Sequence, residues 1–253
     1  MRQDPLTGHT ALVTGAASGI GRAVAARLAA DGARVLVLDR DEAGVRAVAD
    51  EIDGEHLVAD LSDGDAIEEL GLGSRGIDVL VNNAGIQHVA PIEEFEPETF
   101  ELIHRVMLLA PFRLVRAVLP GMYDARWGRI VHVSSVHGHR ASAYKSAYVS
   151  AKHGLEGLSK VIALEGAEKG VTSNTVCPGY VRTPLVEGQI VDQARSHDIS
   201  EERVVDEVLL ARSPVKRLVE PDEVAELVAL LCGPGTASVT GSSYLMDGGW
   251  SAT

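Results

Sequence analysis

The sequence predicts an α/β fold built on a parallel sheet of seven strands within one domain. Short runs rich in Val, Ile and Leu alternate with longer stretches of helical period, which is the pattern of repeated βα units. A glycine-rich turn follows the first run and opens a helical stretch. The chain has 253 residues and 45% hydrophobic content, so a single domain can enclose a sizeable core.

The individual elements follow in chain order. The apolar runs that predict strands are 10–15, 33–39, 55–61, 77–85, 128–135, 171–179 and 243–249. Helical sequence follows the strands over 21–30, 42–52, 97–123, 147–169 and 222–231. The segment 184–213 differs, because it is polar and highly charged. We expect it to form a helical flap over the carboxyl ends of the strands, where open α/β sheets bind ligands.

Charge and composition narrow the range of partners. Lys and Arg number 23 against 36 Asp and Glu, which gives a formal net charge of -13. This balance, without a basic run, disfavours nucleic acids and anionic membranes as partners. The first ten residues lack the apolar segment of a signal peptide, and no window approaches the roughly 18 apolar residues of a membrane span. We expect a soluble, cytoplasmic protein.

The chain contains two cysteines, Cys177 and Cys232, which form no CxxC or Cys/His motif. We expect both to be small core side chains rather than parts of a disulfide or a structural zinc site. The sequence therefore predicts no metal.

The turn TGAASGIG at 14–21 predicts a binding site for a dinucleotide. Gly15 allows a tight turn, Gly19 lets the backbone approach a pyrophosphate, and Gly21 lets the helix pack closely. The negative charge of a pyrophosphate is favoured at the amino terminus of the helix that follows.

The residue at the end of the second strand selects the cofactor. Asp39 lies about 20 residues beyond the glycine turn, where its carboxylate can accept hydrogen bonds from ribose hydroxyls and repel a 2′-phosphate. Arg40 could pair with such a phosphate, but Ala16, Ala17 and Ser18 add no second cation. The sequence therefore favours NAD over NADP.

The stretch SSVHGHRASAYKSAYVSAK at 134–152 contains two tyrosines and two lysines. Tyr148 and Lys152 are four residues apart and share one face of a helix, whereas Lys145 points about 100° away from Tyr144. A tyrosinate can take the proton of an alcohol if its pKa falls from about 10 towards 7, and an adjacent ammonium favours the anion. We assign the chemistry to Tyr148 and Lys152, with Ser135 bonded to the substrate oxygen.

In this order, TGAASGIG, NNAG at 82–85, Ser135, YVSAK at 148–152 and PGYVRT at 178–183 resemble the short-chain dehydrogenase/reductase family over nearly the whole chain. The resemblance implies a three-layer, doubly wound Rossmann-type sheet and a homotetramer. It places Asp60 and Leu61 at the adenine, and Lys152 on the nicotinamide ribose. The implied cofactor site consists of Gly15, Ser18, Gly19, Ile20, Gly21, Asp39, Asp60, Leu61, Asn83, Ala84, Gly85, Tyr148, Lys152, Pro178, Gly179, Val181 and Thr183.

One position departs from the family pattern. Most members have an asparagine in the long fourth helix that anchors a water molecule of the proton path, and Met107 occupies this position here. Pro111 lies four residues later and has no N–H to bond the carbonyl of Met107. We expect this carbonyl to hold the water in place of the missing amide.

Four polar side chains meet no evident structural need and suit a small carboxylate, since a lysine supplies charge and the others directional hydrogen bonds. They are Gln87, His137, Lys145 and Gln189. Tyr180 and Trp250 are candidates for an apolar wall beside them. Within the family, the sequence around these residues resembles members that interconvert (R)-3-hydroxybutyrate and acetoacetate with NAD.

Two alternatives stay open at this point. A different member of the family would act on a 3-oxoacyl thioester or a polyol, although a thioester reductase usually takes NADP, which Asp39 disfavours. A regulator that binds the nucleotide without turnover is suggested by Met107. The intact set of Ser135, Tyr148 and Lys152 favours an enzyme.

Overall fold

The computed structural model describes residues 4–197 and 199–252, with the backbone alone at 192, 193, 196 and 197. All seven predicted apolar runs contain a strand. The strands are β1 (Thr10–Thr14), β2 (Arg34–Asp39), β3 (Glu55–Val58), β4 (Val79–Asn82), β5 (Gly128–Val133), β6 (Val171–Pro178) and β7 (Ser243–Met246). They pair in parallel in the order β3-β2-β1-β4-β5-β6-β7.

Helices cover both faces of this sheet, which explains why its strands are apolar on both sides. Neighbouring residues of β1 illustrate the arrangement. Val13 belongs to the core shared with Val24 of the first helix, and Leu12 belongs to the core shared with Leu114 on the other side. The alternation of side chains along a strand therefore produces the three predicted layers.

The helices agree with the predicted positions, with two differences. They are α1 (Gly19–Ala30), α2 (Glu42–Ile52), α3 (Gly64–Glu69), α4 (Pro97–His104), α5 (Ala110–Ala125), α6 (Ser146–Gly166), α7 (Pro184–His197), α8 (Glu201–Arg203) and α9 (Pro221–Cys232). Helix α3 was not predicted, because it is only 6 residues long. Its local signal is Asp63, whose carboxylate accepts hydrogen bonds from the N–H groups of Asp65 and Ala66 at the helix start.

The second difference is an interruption in the helix predicted over 97–123. A π-helical turn, Arg105–Leu109, separates α4 from α5, and the N–H of Ala110 donates to the carbonyl of Arg105 five residues back. Pro111 lies next to this turn and has no N–H for the regular bond to the carbonyl of Met107. The wider turn therefore coincides with the position where the proline prevents regular α-helical bonding.

The charged segment after β6 is helical, with α7 and α8 followed by a π-helical turn over Val204–Leu209. It has an apolar core of its own, which includes Val186, Ile190 and Leu209 together with the ring of Tyr180. This core connects the segment to the end of β6, where Tyr180 lies. No helix within the described ranges is both long and apolar enough to cross a membrane.

Candidate active site

A cavity of about 510 Å³ lies at the carboxyl ends of the strands. Its walls come from the loops after all seven strands, from α6 and from the charged helical segment. Such a cavity is large enough to hold a substantial part of a cofactor and a small substrate. With the exception of Gly21, every side chain or backbone position that the sequence assigned to a ligand lines it.

The glycine turn has the geometry that its sequence predicts. Gly15 and Gly19 have positive φ angles of 64° and 53°. A Cβ atom on Gly15 would lie 2.8 Å from Cα of Ala84. A Cβ atom on Gly21 would lie only 2.1 Å from the carbonyl oxygen of Gly15, so Gly21 allows close packing and does not itself face the cavity. Gly21 is not among the residues that line the cavity, and its assignment as a cofactor contact stays a prediction.

This turn is held in place by β4. The Asn83 side chain donates to the carbonyls of Thr14 and Gly15 at 2.9 and 3.1 Å, and the Thr14 hydroxyl accepts from the N–H groups of Asn83 and Ala84. Thr14 was not singled out in the sequence. Its role depends on the pairing of β1 with β4, which residue spacing does not reveal.

The start of α1 fits the pyrophosphate of a dinucleotide. Ser18 is the N-cap residue of α1, and its side chain makes no capping hydrogen bond with the described residues. Ser18, Gly19 and Ile20 line the cavity at this helix start, where the first N–H groups of a helix have no intrahelical acceptor. These donors and the helix dipole together form an anion site.

The adenosine end of the cavity carries charges of both signs. The carboxylate of Asp39 accepts hydrogen bonds from the N–H groups of Ala17 and Asp41, each at 3.1 Å, which fixes it beside the glycine turn. The Arg40 side chain lines the same end. Hydrogen bonding from Ser62, with a smaller contribution from the charge of Arg40, holds the pKa of Asp60 below its ordinary value.

Ser135, Tyr148 and Lys152 meet at the centre of the cavity. Ser135 follows β5, and its hydroxyl is hydrogen-bonded to Tyr148 on α6. The Lys152 ammonium donates to the carbonyl of Val133 at 2.7 Å and lies 5.6 Å from the centre of the Tyr148 ring. The strand end and one helix face therefore bring the three predicted residues together.

Burial shifts the pKa values in this group. Burial raises the pKa of Tyr148, although its hydrogen bond with Ser135 opposes that effect. Burial also lowers the pKa of Lys152 to about 8, while the nearby Cys177 and Glu156 act in the opposite direction. The protein groups by themselves raise the tyrosine pKa because the cost of desolvation exceeds the help from neighbouring residues, and the expected lowering depends in addition on the positive nicotinamide ring.

Met107 packs behind the catalytic helix. It is 1% exposed and belongs to an apolar cluster with Ala147 and Ala151. Its sulfur and terminal methyl would lie 3.9 Å from a Cβ atom on Gly85. The thioether is therefore part of the packing, and only the backbone of this residue is left to take part in a proton path.

We predict that Pro111→Ala lowers turnover several-fold and alters its pH dependence, because the new N–H can bond the carbonyl of Met107 and remove it from the proton path. Steady-state kinetics across pH measures this. Pro120→Ala, at an exposed proline of the same helix, serves as the control. Unchanged profiles for Pro111→Ala, together with strongly raised turnover in Met107→Asn, would contradict the proposed role of the carbonyl.

The polar side chains predicted to hold a carboxylate lie beside the catalytic group. Nε2 of His137 is 2.9 Å from the Ser142 hydroxyl, and Nδ1 is 3.4 Å from the Ser135 hydroxyl. Burial and the charge of Lys145 lower the pKa of His137 to about 4, so the ring is neutral at neutral pH. The amide nitrogen of Gln87 is buried without a hydrogen-bond partner among the described residues.

Aromatic rings complete this part of the cavity. The Lys145 ammonium lies 5.5 Å from the centre of the Tyr180 ring, and Trp250 lies 6.0 Å from His137. Gln189 of α7 also lines the cavity. Tyr144 does not belong to it: the side chain is 59% exposed and the backbone φ is 67°.

Several polar members of the cavity were not predicted from the sequence, among them Ser142 and Arg212. Ser142 lies in the same stretch as His137, and its contact with the ring could have been suspected from that proximity. Arg212 follows the helical segment and lies 5.5 Å from the Trp250 ring centre. Arg212 is remote in sequence from the stretch 134–152 that carries most of the predicted site, and only the folding of the charged helical segment brings it to the cavity.

The family model and two relatives that match this chain carry the names of reductases and dehydrogenases. A family model described as enoyl-(acyl carrier protein) reductase matches residues 15–251. A D-beta-hydroxybutyrate dehydrogenase of Rhizobium meliloti (strain 1021) is 45% identical, with 96% of this chain and 98% of the relative covered. Another of the same name from Cupriavidus necator is 44% identical, with 98% and 99% covered.

A solved structure of similar fold is that of a putative NAD(P) dependent gluconate 5-dehydrogenase from Beutenbergia cavernae with bound NADP. It superposes with a TM-score of 0.89 at 36% identity, and 100% of each chain is covered. The likeness extends over the whole sheet and its helices.

Proposed function

The chain belongs to the short-chain dehydrogenase/reductase family of oxidoreductases, and we propose that it interconverts (R)-3-hydroxybutyrate and acetoacetate with NAD as its cofactor. The names of the two bacterial relatives support this substrate. The observation that carries the proposal is the buried amide nitrogen of Gln87, which has no partner among the described residues and lines the cavity with Lys145 and His137. A substrate carboxylate satisfies this donor and is attracted to the lysine.

The residues that bind the carboxylate differ from those that transfer the proton. Lys145, Gln87, His137 and Gln189 bind the carboxylate, and the rings of Tyr180 and Trp250 enclose the short apolar end of the substrate. A neutral His137 contributes a hydrogen bond rather than a charge, since its pKa is about 4. Lys145 is the one ammonium among these carboxylate-binding side chains, which favours a monocarboxylate, and the small volume favours a short one.

Proton transfer occurs at the hydroxyl on C3, between the carboxylate and the methyl group of the substrate. Ser135 donates a hydrogen bond to the substrate oxygen, and Tyr148 takes the hydroxyl proton during oxidation or returns it during reduction. NAD, when bound, supplies the hydride acceptor and a positive ring that favours the tyrosinate. Lys152 adds a second positive charge from the side of Val133.

The protein groups at the adenosine end support NAD as the cofactor. Asp39 is fixed by two backbone donors at the position where a 2′-phosphate would meet its negative charge. Arg40 lines the same region and is the feature that would favour NADP. Asp39 outweighs Arg40 in the choice of cofactor because its carboxylate cannot turn away without losing both hydrogen bonds.

We predict that Asp39→Ala raises the KM for NAD about tenfold and lowers that for NADP, since the carboxylate no longer accepts from the ribose or repels a phosphate. Initial rates with each cofactor measure the ratio. Asp41→Ala, at the exposed residue two positions later whose side chain accepts from the N–H of Gly44, provides a control for loop stability. A preference for NADP in the unmodified protein would overturn the NAD assignment.

The activity itself is tested by incubating the protein with NAD and (R)-3-hydroxybutyrate and following the absorbance of NADH. We expect turnover with this enantiomer and little with (S)-3-hydroxybutyrate. Turnover restricted to a polyol or to a 3-oxoacyl thioester would identify another substrate class. Nucleotide binding without turnover of any of these would instead favour a regulatory protein.

We also infer a homotetramer. Helices α4 to α6 and the π-turn between α4 and α5 carry exposed apolar side chains, among them Phe112 at 50%, Val161 at 51% and Leu164 at 82% exposure. A second copy of the chain would cover such a face. Light scattering coupled to size exclusion measures the mass, and a monomer at micromolar concentration would contradict the inference.

A further inference from the structure

We propose that His139, Glu156 and Cys177 form a binding site for a borderline-soft divalent cation such as Zn²⁺, beside the catalytic helix and outside the cavity lining. Their ligand atoms all lie within 4.8 Å of one another. The three residues come from the loop after β5, from α6 and from β6. The three side chains lie outside the cavity and do not contact its substrate, although the charges of Glu156 and Cys177 act on Lys152.

The distances from Sγ of Cys177 to the other two ligand atoms fit the edges of a coordination tetrahedron. Sγ of Cys177 lies 3.6 Å from Nε2 of His139 and 3.3 Å from Oε1 of Glu156. Nε2 of His139 lies 3.6 Å from Oε2 of Glu156. Zinc bonds of about 2.0–2.3 Å at tetrahedral angles place neighbouring ligand atoms about 3.3–3.6 Å apart. Cys177 and Oε1 are already at the required separation, and the imidazole, which now lies against Oε2, has to shift towards Oε1 when the cation binds.

The carboxylate is already oriented by its surroundings. Oε2 of Glu156 accepts hydrogen bonds from the hydroxyls of Thr175 at 2.8 Å and Ser243 at 2.6 Å. Oε1 faces the Cys177 thiol and is the oxygen available to a cation. Partners that hold a ligating carboxylate in this way are typical of metal sites, where they reduce the cost of ordering the ligands.

The loop after β5 holds the third ligand. The N–H of His139 donates to the carbonyl of Val136 at 3.0 Å. Gly138 allows the close approach, since a Cβ atom there would lie 3.0 Å from Oε1 of Glu156. The loop thus brings the imidazole to the carboxylate without an intervening side chain.

The mixture of ligands indicates which ion binds. One thiolate, one imidazole and one carboxylate suit Zn²⁺ or Co²⁺, whereas Mg²⁺ and Ca²⁺ prefer oxygen ligands alone. The His139 side chain is 31% exposed while that of Glu156 is 6% exposed, so the ion enters past the imidazole and water completes its coordination. The thiol proton of Cys177 is released to solvent when the sulfur–metal bond forms.

The sequence predicted no metal because these ligands have none of the short spacings of zinc motifs. They are 17, 21 and 38 residues apart along the chain, and parallel pairing of β5 with β6 brings them together. The competing explanation is a carboxylate satisfied by two hydroxyls and a thiol, with no ion. The two explanations differ in what a metal titration shows.

The test uses metal-free full-length protein titrated with Co²⁺, followed by displacement with Zn²⁺. We expect one Co²⁺ per chain and a thiolate-to-cobalt charge-transfer band that Zn²⁺ removes. Cys177→Ser should abolish the band, and His139→Asn should weaken binding more than tenfold. Cys232→Ser should leave the band unchanged, since Cys232 is the other cysteine of the chain and is buried elsewhere.

His139→Asn alters a partly exposed side chain and keeps the test decisive if Cys177→Ser does not fold. His153→Asn, at an exposed histidine of α6, is its matched control. The proposal is overturned if the unmodified protein gives no band, if Cys177→Ser retains it, if Cys232→Ser loses it, or if the two histidine variants bind alike. Because the readout is spectroscopic, failure here leaves the dehydrogenase proposal untouched.

Discussion

Tyr148→Phe is expected to lower kcat about 10²- to 10⁴-fold, the range over which general acid–base catalysis contributes. The phenylalanine ring keeps the packing with His137 and α6 but has no hydroxyl to exchange a proton with the substrate. The measurement is steady-state oxidation of (R)-3-hydroxybutyrate, with NADH binding followed separately by fluorescence. NADH affinity should change little, because the variant removes a single hydroxyl from the cofactor site.

Tyr144→Phe provides a matched control for this prediction. Tyr144 lies four residues earlier, is 59% exposed and does not line the cavity. Its variant should retain the kcat of the unmodified enzyme. Equal losses in the two variants, or full activity of Tyr148→Phe, would show that the proton is transferred by another group.

Lys145→Ala is expected to raise the KM for 3-hydroxybutyrate about 10- to 100-fold, equivalent to about 1.4–2.8 kcal/mol, with a smaller change in kcat. The buried ammonium lies against the Tyr180 ring and has no substitute of equal charge among the carboxylate-binding side chains Gln87, His137 and Gln189. Lys160→Ala, at an exposed lysine of α6, is the control. Unchanged KM in Lys145→Ala would exclude a role in carboxylate binding.

The same lysine predicts a pH dependence. Burial lowers the pKa of Lys145 from its ordinary value, and only the protonated form attracts a carboxylate. Affinity for the acid should therefore be full below this pKa and fall as the pH rises through it, earlier than for an exposed lysine. His137 should cause no inflection near the ordinary histidine pKa, because its own pKa is about 4. The KM of the unmodified enzyme measured between neutral and alkaline pH tests both statements.

The local features of the fold could be predicted because they depend on neighbours in the chain. Seven apolar runs became seven strands, and the helix predicted over 42–52 has those bounds. The spacing of Tyr148 and Lys152 places both side chains on one helix face by geometry alone. The sequence indicated only that the carbonyl of Met107 lacks a donor at Pro111. The π-turn itself was not predicted, because the sequence does not show how a helix accommodates a missing N–H group.

The composition of the candidate site was largely predictable for a related reason. Parallel strands end at the same edge of the sheet, so residues that follow them meet there, as Asn83 and Ser135 do. The pKa values of the site residues could not be predicted from the sequence. The raised pKa of Tyr148 results from the desolvation of its hydroxyl, and burial of that kind depends on every element around the cavity.

The sequence by itself determined the succession of the seven strands and the longer helices along the chain, the glycine turn and the helix face that carries Tyr148 and Lys152. These properties follow from side-chain period, backbone freedom at glycine and helical spacing, all of which act over a few residues. Tertiary structure alone decided that Arg212 reaches the cavity, that Gly21 does not, and that His139, Glu156 and Cys177 converge. Distances between remote residues depend on how strands pair and layers pack, and no local pattern encodes them.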